Sequence, residues 1–202
     1  MKNCLRKFKI FKNGFTLAEV LITLVIIGVI AAMTIPNIVY ETKKHEYTAR
    51  LKKFYSTMKQ VEQNADAAGK SWMDWVIVNN FTDGGSINIQ TFIQECILPY
   101  MSYHKVTSDT VYLNDGSFFT ISQGSCLDFV FDVNGDKKPN VGGRDRYDFL
   151  YCPADLTFKS YRWTYQNSRT DLFNMCKNQA WTCSGLLMMD GWEFKSDYPY
   201  RL

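Results

Sequence analysis

The chain has 202 residues, 46 % hydrophobic and 15 % aromatic, which is ample for a packed domain and excludes wholesale disorder. The formal net charge is +3, but residues 1–14 hold five basic residues (Lys2, Arg6, Lys7, Lys9, Lys12) and no acid; taking those five away leaves −2 for the rest, which makes no electrostatic case for nucleic acid. The six cysteines (Cys4, Cys96, Cys126, Cys152, Cys176, Cys183) form no C-x-x-C pair and both histidines lie far from them, so disulfides in an oxidising compartment are favoured over zinc.

The first element is an apolar run from Phe15 to Ile35, about 21 residues, the length at which a helix crosses a bilayer. Its only charge is Glu19. The basic flank before it and the mixed flank after it (Glu41, Lys43, Lys44, Glu46) place the N-terminus in the cytoplasm and the rest outside. A cleaved secretory signal fits the basic start but not the long apolar core, the weak small-residue site or the glutamate. A plain signal anchor leaves Glu19 and the "KNG-F" boundary unaccounted for.

"GFTLAEVLITLVIIGVIAAMTIPN" resembles the N-terminal cleavage and methylation segment of type IV pilins and type II secretion pseudopilins. A basic leader ends in Gly14, Phe15 follows, Glu19 is fifth counting from Phe15, and Pro36 lies 21 residues after Phe15. The resemblance covers about the first fifth of the chain. It implies that a prepilin peptidase cuts between Gly14 and Phe15 and methylates the new Phe15 amine. It further implies that mature subunits pass from the inner membrane, through an assembly platform, into a filament with copies of themselves and other pilins or pseudopilins. The segments expected are a leader at 1–14, a transmembrane and assembly helix at 15–36, an amphipathic continuation at 37–69 and a globular head at 70–202. A lone carboxylate in lipid costs several kcal/mol; in this family Glu19 is expected to meet the N-terminal amine of a neighbour, which makes assembly its relief and its register signal.

Beyond Pro36, the residues Tyr47, Leu51, Phe54/Tyr55, Met58, Val61 and Ala65 recur at spacings of three and four, and Gly69 is a stop. A helix from Phe15 to Ala68 would be about 80 Å long. Pro36 inside it removes a backbone donor and is expected to bend or loosen the helix. Residues 70–109 read as a connector containing a "TDGGS" turn and a short helix, "NIQTFIQECILPYM", that ends before Pro99.

The head reads as α+β: the long helix packed on a small antiparallel sheet of three or four strands, which is also the pilin-like architecture the resemblance implies. Residues 110–122 form a hairpin around Asn114-Asp115-Gly116; residues 126–133 and 146–152 are two more strands. "LTFKSYRWTY" is a candidate added strand, "RTDLFNMCK" a helical turn and "SGLLMMDGWEF" a last apolar piece. If the strands at 126–133 and 146–152 pair symmetrically about their loop, Asp132 faces Arg146 and Cys126 faces Cys152, a reasonable disulfide. Cys176 and Cys183 close a small loop as the second pair. Cys96 is left as a buried thiol or a competitor, since Cys4 departs with the leader.

The loop "FDVNGDKKPNVGGRD" spaces oxygen side chains as a hard cation requires; its candidate calcium ligands are Asp132, Asn134, Asp136, Lys138, Asn140 and Asp145. The fit to an EF-hand is partial: Gly135 comes too early and the twelfth position is Gly143. The other reading of the same residues is a polar turn in which Asp side chains cap backbone N–H groups. The resemblance adds that some pseudopilins hold structural calcium in the head.

No Ser-His-Asp set, phosphate loop or zinc motif accompanies these features, so the chain reads as a structural subunit and not an enzyme. A membrane-anchored extracytoplasmic binding or adhesion domain, with "KSYRWTYQNSR" as its contact, is the alternative, and a tethered enzyme a more distant one.

Overall fold

The computed structural model describes residues 14–78 and 85–202 in two units, Met1–Glu41 and Thr42–Leu202. The leader before Gly14 and residues 82–84 of the expected "TDGGS" turn lie outside the described residues.

Helix α1 (Leu17–Ala67) belongs to both units. In the first unit all the large apolar side chains from Phe15 to Val39 are exposed, a helix apolar on every side. Pro36 does not loosen the helix, which runs through it without interruption. Proline lacks the N–H that would reach back four residues to the Ala32 carbonyl.

In the second unit the helix is one-faced. Tyr47, Leu51, Phe54, Met58, Val61 and Ala65 are buried, the stripe read from the spacing. The helix stops where Lys70 N–H donates to the Ala65 carbonyl (2.8 Å) and Gly69 N–H to that of Asp66 (3.0 Å). This cap needs a left-handed residue, and Gly69 supplies it at φ 71°.

Helix α2 (Trp72–Val78) turns the chain back, with Trp72 buried and its indole N–H donating to the Cys96 carbonyl. Helix α3 (Ile89–Phe92) is capped by Asn88, which accepts from Thr91 N–H. The helical path does not end before Pro99: a wide turn (Ile93–Ile97) and a tight one (Leu98–Tyr100) carry it past, because proline at the start of a turn has no bond to lose.

The sheet has six antiparallel strands in sequence order, β1 (Lys105–Val106), β2 (Thr110–Tyr112), β3 (Phe118–Gln123), β4 (Leu127–Asp132), β5 (Arg146–Tyr151) and β6 (Phe158–Ser160). β6 lies in the candidate strand "LTFKSYRWTY"; β1, an edge strand of two residues, is the one beyond the sequence pattern, too short to show an alternation. Asp132 pairs with Arg146 and Leu127 with Tyr151. That register brings Cys126 to Cys152, which are disulfide-bonded, as are Cys176 and Cys183; Cys96 is a free buried thiol that burial pushes up to about 11.

Phe119, Phe129, Phe131, Phe149 and Phe158 point from one face of the sheet toward α1 and are buried. Phe54 of α1 stacks on Phe131 with centroids 4.1 Å apart and also meets Phe119, Phe149 and Phe158. Helices α4 (Arg169–Asn178), opened by a Ser168–Asp171 capping box, and α5 (Cys183–Met189) close the core beside β5 and β6.

On the opposite face, Asp128 and Asp148 occupy successive pairs of β4 and β5. Burial, and then the Asp128 charge, push the Asp148 carboxyl from 3.8 up to about 7. A carboxyl raised by folding binds its proton more tightly in the native chain than in the unfolded one. Its contribution is therefore favourable at low pH and is lost as pH climbs from about 4 to about 7. Asp148→Asn is expected to flatten the fall in Tm across that window and to raise Tm above it, as thermal melts at stepped pH would show.

Candidate functional site

Two places concentrate chemistry: the start of α1 and the loop between β4 and β5.

Gly14 lies just before the helix start and Phe15 is 88 % exposed. The Thr16 N–H and hydroxyl both donate to Glu19 Oε2 at 2.8 Å, and Glu19 N–H donates back to Thr16 Oγ1 at 3.2 Å. This is a capping box, and it uses the lone carboxylate of the apolar segment to satisfy helix-end donors. Thr16 is the residue that reading the sequence for a charge passed over; its signal was the T-x-x-E spacing. Further along, the Thr23 and Thr34 hydroxyls donate to carbonyls of their own helix, so these polar groups are also satisfied in place.

The head loop is tied down on three sides. Asn134 Nδ2 donates to the Tyr47 hydroxyl (3.0 Å) and Arg50 donates to the Val133 carbonyl (2.7 Å), so one turn of α1 grips its entry. Gly135, at φ 71°, lies so close to the β2–β3 turn that a Cβ there would stand 2.3 Å from the Gly116 carbonyl oxygen. Gly143 passes under the C-terminal segment: a Cβ would meet the Tyr200 ring at 2.7 Å, and the Tyr198 hydroxyl donates to the Gly143 carbonyl. Only glycine fits at either place.

Inside the loop the candidate ligands separate into groups. Asp145 is fully buried and accepts from Asn140 N–H (2.8 Å), Val141 N–H (2.6 Å) and Asn134 Nδ2 (3.2 Å). It is the backbone-capping carboxylate of the turn reading. Asp132 is also fully buried, paired with Arg146 Nε at 2.8 Å and accepting from Asn134 N–H. Burial raises the Asp132 carboxyl's pKa, with Arg146 pulling it down. Asp136 and Lys138 are exposed.

Asn140 sits where three acceptors converge: Asp132 Oδ2 (3.1 Å), the Lys137 carbonyl (2.9 Å) and the Gly135 carbonyl (3.2 Å). With its amide nitrogen toward them it donates to them; with its oxygen toward them it completes a ring of four oxygens. Asn134 Oδ1 is buried without a hydrogen-bond partner. Convergent oxygens of this kind are the donor chemistry of a hard cation. Among the described residues no three His, Cys, Asp or Glu side chains are placed to share a metal; the oxygens here are mainly amide and carbonyl. Asp132, Asn134 and Asn140, with the carbonyls of Gly135 and Lys137, are the residues that would hold such an ion. It would supply counter-charge to Asp132 and a partner to Asn134.

Residues 11–35 match the prokaryotic N-terminal methylation motif, which with the long helix on an antiparallel sheet defines a pilin-like protein of the kind processed by prepilin peptidase. The exposed apolar stretch of α1 is long enough to anchor it in a membrane. Residues 37–202 match a second family model, and the chain thereby belongs to a family of unknown function, DUF6613. The two matches meet at Pro36. No curated protein and no solved structure matches the chain.

The Asp145 arrangement is directly testable. Asp145→Ala leaves two part-buried backbone N–H groups and the Asn134 amide without their acceptor, and is expected to destabilise the chain by about 2–3 kcal/mol, seen as a lower urea midpoint with an unchanged m-value.

Proposed function

We propose that this chain is a structural subunit, a pseudopilin or minor pilin, that assembles through α1 into a type II secretion pseudopilus or type IV pilus-like filament. The observation that carries this reading is the methylation motif at residues 11–35 laid over a helix whose apolar side chains are exposed all round, with a single carboxylate at Glu19.

The physical sequence of events follows from the residues. Basic residues before Gly14 hold the leader in the cytoplasm and put the head outside, in the periplasm or beyond, where the two disulfides are stable. Cleavage after Gly14 creates a charged amine on Phe15. While the subunit waits in the bilayer, Thr16 shares the burden of Glu19 through two hydrogen bonds. In the filament Glu19 faces the Phe15 amine of a neighbour, and a buried charge of each sign is neutralised in one register. Partners in this scheme are other copies, other pilins or pseudopilins, the prepilin peptidase and the inner-membrane platform. The head is a rigid body carried on the filament surface.

Mass spectrometry of the chain expressed with a prepilin peptidase is expected to show loss of residues 1–14 and one methyl group on Phe15. Glu19→Ala is expected to be cleaved normally yet to yield at least about tenfold fewer filaments, because breaking a buried ion pair costs about 3–5 kcal/mol. An intact N-terminus, or cleavage near Ala32, would overturn the reading.

The head loop joins this proposal as a structural calcium site formed by Asp132, Asn134 and Asn140 with the two carbonyls. The convergence of Asp132 Oδ2 and the two carbonyls on Asn140 supports it. Calcium added to the full chain in detergent is expected to raise Tm by about 2–4 °C per kcal/mol of binding linkage, and a chelator to reverse the rise. Asn134→Ala should abolish the shift; an identical Tm with calcium and chelator would remove the ion.

A further inference from the structure

The two disulfides hold different things. Cys126–Cys152 joins β4 to β5 at the end away from their loop, next to the Leu127–Tyr151 pair, whereas the loop springs from the Asp132–Arg146 pair at the other end. Cys176–Cys183 belongs to neither strand. It ties the end of α4 to the first residue of α5 and closes a ring of residues 176–183. Both of its cysteines are fully buried.

That ring lies against the exit of the β4–β5 loop. A Cβ on Gly143 would stand 3.1 Å from Cys183 Sγ, and one on Gly142 3.1 Å from the Ala180 Cβ, so the sulfur and Ala180 rest directly on the two glycines. The C-terminal segment binds ring and loop together from another side. The Tyr200 ring covers Gly143 and its hydroxyl donates to the Cys176 carbonyl (3.1 Å), while the Tyr198 hydroxyl donates to the Gly143 carbonyl (2.7 Å).

Gly143 in turn helps to aim Asp145. Its N–H donates to the Arg146 carbonyl (3.0 Å), and the Arg144 and Asp145 N–H groups donate to the Val141 carbonyl (3.1 and 3.2 Å). This tight turn brings the Asp145 carboxylate back to the Asn140 and Val141 N–H groups, the bonds that close the loop.

We propose that the Cys176–Cys183 disulfide is the latch of the β4–β5 loop: closure around Asp145 is reached only in the oxidised chain and is lost on reduction, while the sheet stays intact. Reduction takes two electrons and two protons. A dithiol attacks one sulfur, the S–S bond breaks through a mixed disulfide, two thiols remain on the chain and the reductant leaves as its own cyclic disulfide. Two unbonded sulfurs need more room than a bonded pair, and a close-packed interior gives none where Cys183 Sγ already meets the Gly143 backbone. Opening the ring also releases residues 179–182, the stretch that carries Ala180, from a covalent constraint. The sheet does not share the effect, because Phe54 and Cys126–Cys152 hold it independently. The latch needs neither a filament nor a bound ion, and it makes the shape of the loop depend on the redox state of the compartment.

Hydrogen exchange of the full chain in detergent, read by mass spectrometry, tests this through the peptide that holds Asn140 and Val141. Cys176→Ala/Cys183→Ala is expected to speed exchange there about tenfold or more, with Phe129 and Phe131 of β4 changed less than about twofold. Cys126→Ala/Cys152→Ala, which removes the other disulfide, is expected to leave Asn140 and Val141 as they are. Tyr198→Phe keeps both disulfides but frees the Gly143 carbonyl, and is expected to speed the same peptide about fivefold. The unsubstituted chain in excess dithiothreitol is expected to match the first variant once alkylation shows Cys176 and Cys183 reduced. Unchanged exchange at 140–141 overturns the latch. So does exchange that rises uniformly through β4 and the loop, by unfolding or otherwise, and so does an equal acceleration on loss of Cys126–Cys152.

Discussion

Everything in the head depends on one side chain position. Phe54 sits on the buried stripe of α1 and touches four phenylalanines from three central strands and one edge strand. The helix and sheet therefore cannot be separated without exposing the centre of the core. A buried ring of that size contributes on the order of 3–5 kcal/mol, a large part of the margin of a small domain. The loops follow from this. With α1 fixed on the sheet, Tyr47 and Arg50 arrive at one end of it, and the β4–β5 loop has partners to close against.

The same helix must satisfy two solvents. Its first half is exposed and apolar on all sides, which is stable only in lipid or among other such helices. Its second half offers one apolar face to the sheet. The transition falls where the two family matches meet, at Pro36. Glu19 is the exception within the lipid-facing half. Its capping box with Thr16 gives the carboxylate a local role without neutralising it.

The loop shows how one set of residues can be read in two ways. Carboxylates at alternate positions suggested ligands of equal standing, but the folded loop divides them. Asp145 is spent on backbone N–H groups, Asp132 faces Arg146, and Asp136 is in solvent. What converges instead on the Asn140 amide are the Asp132 carboxylate and two backbone carbonyls. Backbone carbonyls carry no sequence signature, so that part of the arrangement could not be read from residue spacing.

The sequence by itself determined the helix stripe, the β4–β5 register and the segment that marks the chain as pilin-like. In each case the information is a period or a spacing. Six apolar residues recur every three or four positions, a hairpin is symmetric about its loop, and Gly14, Phe15, Glu19 and Pro36 stand at set intervals. Edge strand β1 was beyond it because two residues hold no period and pair only through the hydrogen bonds of their neighbour. The tertiary structure alone decided which loop oxygens are spent and which remain. It did so because residues such as Tyr47 and Asn134, 87 positions apart, become neighbours only when the sheet closes on α1.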